Sequence, residues 1–186
     1  MSSTNGVDDD IRIRRVDEID ASVAKGLADV LVDCVEGGAS VGFMLPLTRQ
    51  RAEDFWINTL ESASRGERVV IVAEERVSGT DRVTVIGTVQ VVLAAPENQP
   101  HRGEIAKMLV HRRARRRGVA AALMREAEAA ARTAGKTLLV LDTASDDAER
   151  VYGRLGWQRV GVIPGYALWP AGGPVDTVVF YKTLES

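Results

Sequence analysis

Between residues 103 and 143 the hydrophobic period of the sequence changes twice. GEIAKMLV is a strand-like apolar run. HRRARRRG follows, with five arginines and one histidine in the seven positions before Gly118. VAAALMREAEAAARTAG then has helical spacing and is closed by Gly135, and KTLLVLDT reads as a fully buried strand. A strand, a helix and a buried strand in this order predict a parallel strand–helix–strand unit at the centre of an α/β domain.

The flanks supply the rest of the sheet. Ile11, Ile13 and Val16 fit a first strand, although Arg14 and Arg15 interrupt the alternation. From Asp20 onward, Val23, Leu27, Val30, Leu31 and Cys34 have helical spacing, with Asp20 or Ser22 as cap and a stop at Gly37-Gly38. GGASVGFMLP is a loop with apolar side chains. A second helix is expected from Thr48 to near Gly66, with Phe55, Trp56 and Leu60 on one face. RVVIVAEERV and VTVIGTVQVVLA form a hairpin across SGTDR. After the central unit come a short helix, DDAERVYGRLG, and two strands, WQRVGVIPGYAL and VDTVVFYKTL, joined around PAGGP. The expected order is β-α-α-β-β-β-α-β-α-β-β. It describes a mixed, mostly antiparallel sheet of about seven strands with about four helices, in one domain over residues 1–186 with a flexible tail over residues 1–10.

The totals narrow the function classes. The chain has 186 residues, of which 45% are apolar and 27% charged, and its net charge is -2. The arginine run is therefore local, whereas a dedicated nucleic-acid binder carries its basic excess over the domain. No aromatic residue is interleaved with the arginines, so no nucleic-acid partner is expected. Cys34 is the single cysteine, which excludes an intrachain disulfide. No apolar run reaches the ~18 residues of a membrane span and no signal pattern stands at the start, so no membrane partner and a cytoplasmic location are expected.

What the arginines are for follows from their place. A helix N-terminus exposes unpaired N–H groups and a partial positive charge, and so suits an anion. Gly118 and Ala120 let a ligand come close to the backbone, and Arg115, Arg116 and Arg117 are expected to add cations. Strand, basic glycine-bearing turn and helix start together make a pyrophosphate cradle. Arg112 and Arg113 are expected merely to be exposed, and Lys107 to be a surface group.

Arg115-x-x-Gly118-x-Ala120 resembles the Q/R-x-x-G-x-G/A signature of the GNAT superfamily of acetyl-CoA-dependent acyltransferases. S-D-D-A-E-R-V-Y-G-R-L-G-W resembles a second segment of that superfamily, N-x-x-A-x-x-L-Y-x-x-x-G-F, with Ala148, Tyr152, Gly156 and Trp157 in register. Ser145 stands for the usual asparagine and Arg112 for a frequent proline. The element order is also the GNAT order. LLVLDT, the P-G-Y turn and the ending F-Y-K-T-L are similar to the tabtoxin resistance protein branch.

The resemblance implies acetyl-CoA as co-substrate and transfer to an amine where the fourth and fifth strands splay; two histidines and one cysteine offer no metal-ligand spacing, so no metal is expected. It implies backbone contacts to the thioester from Met108, Leu109 and Val110, and a cradle of Arg115, Arg116, Arg117, Gly118, Val119 and Ala120 completed by Ser145, Ala148 and Tyr152. Tyr152 occupies the place of the tyrosine that protonates the leaving thiolate. For the base, Glu104 and Asp142 both qualify, with His101 and His111 as lesser alternatives. On a regular strand, residues 104, 106, 108 and 110 share one face and 105, 107 and 109 the other. Phe43, Met44 and Trp169, together with Glu104 and Asp142, are expected to line the acceptor site; Trp56 could join them or belong to the core.

The expected reaction is direct acetyl transfer to a primary amine of a small molecule, such as an amino-acid-like compound, toxin or antibiotic. Cys34 is expected away from the cradle and so not an acyl carrier. A protein N-terminal or lysine acetyltransferase and a non-catalytic acyl-CoA-binding module are the competing functions. The C-terminal hairpin suggests a homodimer through edge pairing.

Overall fold

The computed structural model describes residues 10–185. The elements are β1 (Ile11–Arg15), α1 (Ala21–Glu36), α2 (Arg49–Ser64), β2 (Arg68–Arg76), β3 (Val83–Leu93), β4 (Arg102–Val110), α3 (Val119–Thr133), β5 (Leu138–Thr143), α4 (Asp146–Arg154), β6 (Gln158–Leu168) and β7 (Pro174–Thr183). This is the order expected from the sequence, with one added 3-10 turn at Arg112–Ala114 inside the arginine run. Of the tail expected over residues 1–10, only Asp10 is among the described residues, and its carbonyl accepts from the Arg76 N–H at 3.0 Å.

The strands form one sheet in the order β1-β2-β3-β4-β5-β7-β6. All neighbours are antiparallel except β4 and β5, which are parallel, as the crossover through α3 requires. α1 and α2 cover one face. Leu27, Val30, Leu31, Val35, Trp56 and Leu60 meet Val70, Val72 and Leu109 there. α3 covers the other face, where Val119, Leu123, Met124, Ala127 and Ala131 meet Ile71, Ile86, Val91, Leu139 and Leu141. Each fully buried Leu, Val or Phe of these layers contributes about 1.5–3 kcal/mol.

Local chemistry sets the helix ends. The Asp20 carboxylate accepts from the N–H groups of Ser22 and Val23, Thr48 caps α2, and Ser145 caps α4. α3 differs: it starts at Gly118, which has φ 79° and offers no side-chain cap.

The buried Glu128 of α3 joins three elements on the α3 side. Its oxygens take Lys182 Nζ of β7 at 2.8 and 2.9 Å and Trp157 Nε1 at 3.0 Å. Lys182 Nζ also donates to the Leu155 carbonyl at 2.6 Å, which ties the end of α4 to β7.

Candidate active site

β4 and β5 pair only from Arg102–Leu138 to Glu104–Val140. Beyond that point β4 runs on to Val110 and β5 to Thr143 without pairing, so the two strands part. The splay lies at the carboxyl ends of two parallel strands, where open α/β sheets place their ligands.

The backbone of β4 is not regular at this place. Thr88 of β3 pairs with Leu109 and Gln90 pairs with Ala106, so Val89 faces both Lys107 and Met108. This is a bulge, and Lys107 has φ 50° in it. The extra residue breaks the alternation expected from the sequence. Ile105, Met108 and Val110 pack on the α3 side, whereas Leu109 packs on the α1/α2 side and Lys107 lies against Phe55 of α2. The assignments of 105, 107 and 109 to one face, and of 104, 106, 108 and 110 to the other, are therefore both corrected.

The His111 N–H donates to the Ile86 carbonyl at 2.9 Å. Antiparallel alternation then turns the N–H of Leu109 toward β3 and that of Val110 toward the splay. Of the three backbone donors expected here, Leu109 is thus committed to the sheet and Val110 faces the gap, while Met108 lies in the bulge.

At the cradle, Arg116 (φ 63°) and Gly118 (φ 79°) are both left-handed, and the chain enters α3 directly after them. With no side-chain cap at Gly118, the first N–H groups of α3, from Val119 and Ala120 onward, keep their anion-binding capacity. The arginines divide their work differently from the expectation. Arg112 is bound to Asp33, through its N–H at 2.7 Å and its guanidinium at 2.9 Å. Arg113 and Arg117 both pair with Glu75, at 3.3 and 2.6 Å. Arg115 Nε donates to the Val110 carbonyl at 3.4 Å. So Arg112 and Arg113 are not merely exposed, and Arg117 braces the loop against β2. Much of the charge fixes the shape of the cradle by pairing with α1 and β2.

The two acidic candidates lie on one face. Glu104 pairs in register with Val92 and, through it, with Arg68, on the α1/α2 side. Leu139 and Leu141 of β5 point to α3, so Asp142 points the other way. Asp142 is exposed, and one oxygen accepts from Thr177 Oγ1 at 2.7 Å. Thr177 thus orients the carboxylate, a partner that no sequence pattern signals.

Lys107, expected at the surface, is half-buried. Its Nζ lies 5.8 Å from the centre of the Phe55 ring. Burial pulls its pKa below the ordinary lysine value, against the pull of Asp142 and Glu104.

Tyr152 is 4% exposed, between Trp157 and Phe180 at ring distances of 6.0 and 5.8 Å. Burial raises the pKa of its phenol, and the negative charge of Asp142 adds to the rise. The phenol is therefore protonated across the neutral range and is near enough to β5 to sense Asp142. Ser145 accepts from the Ala148 N–H at 3.3 Å and starts the helix that carries Tyr152.

The two loops expected to carry the acceptor wall meet each other. Ser40 Oγ donates to the Leu168 carbonyl at 2.9 Å, and the Leu45 N–H to the Pro170 carbonyl at 2.9 Å, so the loop after α1 is latched to the β6–β7 turn. Phe43 packs edge-on against Phe55 at 5.1 Å, while Met44 and Trp169 are exposed. Trp56 is fully buried and belongs to the core.

The remaining candidates fall away on geometry. His111 sits 3.5 Å from Asp33 and its Nδ1 accepts from the Arg113 N–H, while His101 is exposed before β4. Cys34 is not remote from the cradle strand, since its thiol donates to the Val110 carbonyl at 3.6 Å. It is 2% exposed, and burial raises its pKa in spite of the nearby Arg115, which leaves it a poor nucleophile. Among the described residues, no cluster of three or more His, Cys, Asp or Glu could hold a metal, and no helix is long and apolar enough to cross a membrane.

The family model of the acetyltransferase (GNAT) family matches residues 40–157, which contain both landmarks and the splay. The chain belongs to this family. It is an acyltransferase by family. An uncharacterized N-acetyltransferase from the hisH-hisA intergenic region of Azospirillum brasilense is 27% identical over 174 residues, covering 90% of this chain and 97% of that protein. Among solved structures, an N-acetyltransferase from Staphylococcus aureus Mu50 superposes with a TM-score of 0.76 at 16% identity, over 94% of this chain and 99% of that one. A phosphinothricin acetyltransferase of the GNAT superfamily from Sinorhizobium meliloti, solved in complex with acetyl-CoA, gives 0.74 at 16% identity, over 94% and 89%. At such identities these structures share the fold.

Proposed function

We propose that this GNAT acetyltransferase moves an acetyl group from acetyl-CoA directly to a primary amine of a small molecule. The observation that carries the reading is the splay of β4 from β5, with an uncapped helix start at Gly118 on one side and two carboxylates on the other. The N–H groups of α3 take the pyrophosphate, and the Val110 N–H polarises the thioester carbonyl. Asp142 or Glu104 takes the proton of the acceptor ammonium, directly or through water, so that its nitrogen can attack the carbonyl carbon. The C–N bond forms, the C–S bond breaks, the Tyr152 phenol gives its proton to the thiolate, and the second proton of the attacking nitrogen returns to the tyrosinate through water.

The latched acceptor loop favours a small acceptor over a protein substrate, which needs an open groove. An amino-acid-like compound, toxin or antibiotic fits. β6 is a sheet edge that exposes Val160, Val162, Tyr166 and Leu168, which supports a homodimer; sedimentation as a strict monomer contradicts that part.

Thiol release from acetyl-CoA, followed with a panel of small amines, tests the reaction. The expected result is acceptor-dependent release with intersecting initial-rate lines. Parallel lines and a trapped acetyl-enzyme contradict direct transfer.

A further inference from the structure

Lys107 is the one feature of the splay that acetyl transfer does not use. Its place is not accidental to the strand. On a regular β4 it would point into the apolar layer under α3; the bulge turns it to the α1/α2 side, next to Ala106 and Leu109. A residue other than glycine at φ 50° is unfavourable backbone, and such positions gather at functional sites.

The surroundings of its ammonium are well defined. The Phe55 ring of α2 lies 5.8 Å away, and a Cβ added to Gly42 of the acceptor loop would come 3.7 Å from Nζ. Three charged groups face it: Asp142 from β5, Glu104 from β4 and Arg68 from β2. Arg68 is occupied by Ser62 Oγ at 2.9 Å and Gln90 Oε1 at 2.8 Å. Asp142 is held by Thr177. Among the described residues, Lys107 makes no hydrogen bond and no ion pair; both carboxylates act on it only through space. An ammonium has three donors, and no protein acceptor takes those of Lys107, which leaves them open to solvent or to a ligand in the splay.

The acceptor side of the splay thus presents two carboxylates and, beside the Phe55 ring, one cation that no protein acceptor engages, Arg68 being held by Ser62 and Gln90. An amine alone would use only the first part of that pattern. We infer that Lys107 binds an anionic group on the acceptor, so that the acceptor is a zwitterion: a primary amine with a carboxylate on a short tether, as in an amino acid. The ammonium end faces Asp142 and Glu104, where it loses its proton, and the carboxylate end faces Lys107 beside Phe55. Lys107 is then a specificity-determining residue. This rests on the acetyl-transfer reading above.

The test compares acceptors in sets of three: each of the twenty L-amino acids and a series of short ω-amino acids, its carboxamide, and its decarboxylated amine. kcat/KM is measured by thiol release with the full-length protein, for the wild type, Lys107→Met and Lys107→Arg, with Lys107→Gln as a second neutral variant should Met fail to fold. The expected wild-type result is a best acceptor whose acid form exceeds its carboxamide and amine by 100-fold or more. In Lys107→Met that ratio falls below 5-fold, mainly through the KM of the acid, and Lys107→Arg restores part of it. A wild-type ratio near one overturns the inference and needs no variant. So does a Lys107→Met enzyme that loses rate on all three forms equally, which would make Lys107 part of the general machinery. Acetyl-CoA binding, measured alongside, separates the two levels. Binding with no acid acetylated overturns only the zwitterionic acceptor; no binding removes the acetyl-transfer reading and the inference with it.

Discussion

Glu128→Ala is expected to be among the most destabilising single changes on the α3 side. Glu128 is buried and holds Lys182 Nζ through both oxygens and Trp157 Nε1 through one. Lys182 is itself only partly exposed, and its other partner is the Leu155 carbonyl. Removing the carboxylate leaves a poorly solvated cation without its counter-charge and an indole N–H without an acceptor. Breaking a buried pair in this way costs about 3–5 kcal/mol. For a domain of this size each kcal/mol moves Tm by roughly 2–4 °C, so a fall of roughly 6–20 °C follows. The double variant Glu128→Leu/Lys182→Met removes both charges and keeps the volume, and is expected to recover most of the loss. Urea unfolding read by circular dichroism measures both. A cost below about 1 kcal/mol for Glu128→Ala, or a double variant as unstable as the single one, refutes the claim that this network is a buried charge pair.

Tyr152→Phe keeps the ring contacts to Trp157 and Phe180 but removes the proton; kcat is expected to fall by about 100-fold or more with acetyl-CoA affinity little changed, and a kcat within threefold of wild type removes Tyr152 as the acid. Gly87→Ala would put a Cβ 3.0 Å from the Leu109 carbonyl oxygen and 3.3 Å from Val119 Cγ1, under the start of α3. A cost of about 1–3 kcal/mol is expected in urea unfolding, and an unchanged midpoint contradicts the packing. On the acid side, hydrogen bonds from Arg65 and then Ser62 hold the folded Glu67 carboxyl at about 2, below its ordinary 4.5. Its folded pKa is depressed, so its contribution is present above pH 4.5 and is lost as pH falls toward 2. Glu67→Gln is expected to flatten that limb of the Tm–pH curve, and an unaltered limb shows that the pair does not form in solution.

Most of the fold was legible because the signals are local. Asp20 and Thr48 stand where the caps are, and Val23, Leu27, Val30 and Leu31 are buried as their spacing predicts. The turn into α3 was legible for the same reason: Gly118 between a strand and a helix is a contiguous pattern. What escaped depends on contacts between distant segments. The bulge at Lys107 arises from how β4 pairs with β3, and a single extra residue there inverts the faces of everything after it. Lys107 was misjudged as a surface group for that reason, although a lysine inside the otherwise apolar IAKMLV was a signal available in the sequence. The ion pairs of the arginine run were not legible because Asp33 and Glu75, which hold Arg112, Arg113 and Arg117, lie 79, 38 and 42 positions away. Thr177, which orients Asp142, lies on β7 and has no motif around it.

The most direct test of the central claim is thermal unfolding with acetyl-CoA, beside free coenzyme A and the matching nucleotide without pantetheine. At 100 times its dissociation constant, a ligand of the native state adds ~2.7 kcal/mol, or roughly 5–11 °C here. The account predicts a rise of that size with acetyl-CoA, less with the nucleotide, and its loss in Gly118→Val, where a side chain would crowd a backbone at φ 79°. No rise with any of the three compounds would contradict the account, leaving the arginine loop as a brace between α1 and β2 with no cofactor to hold.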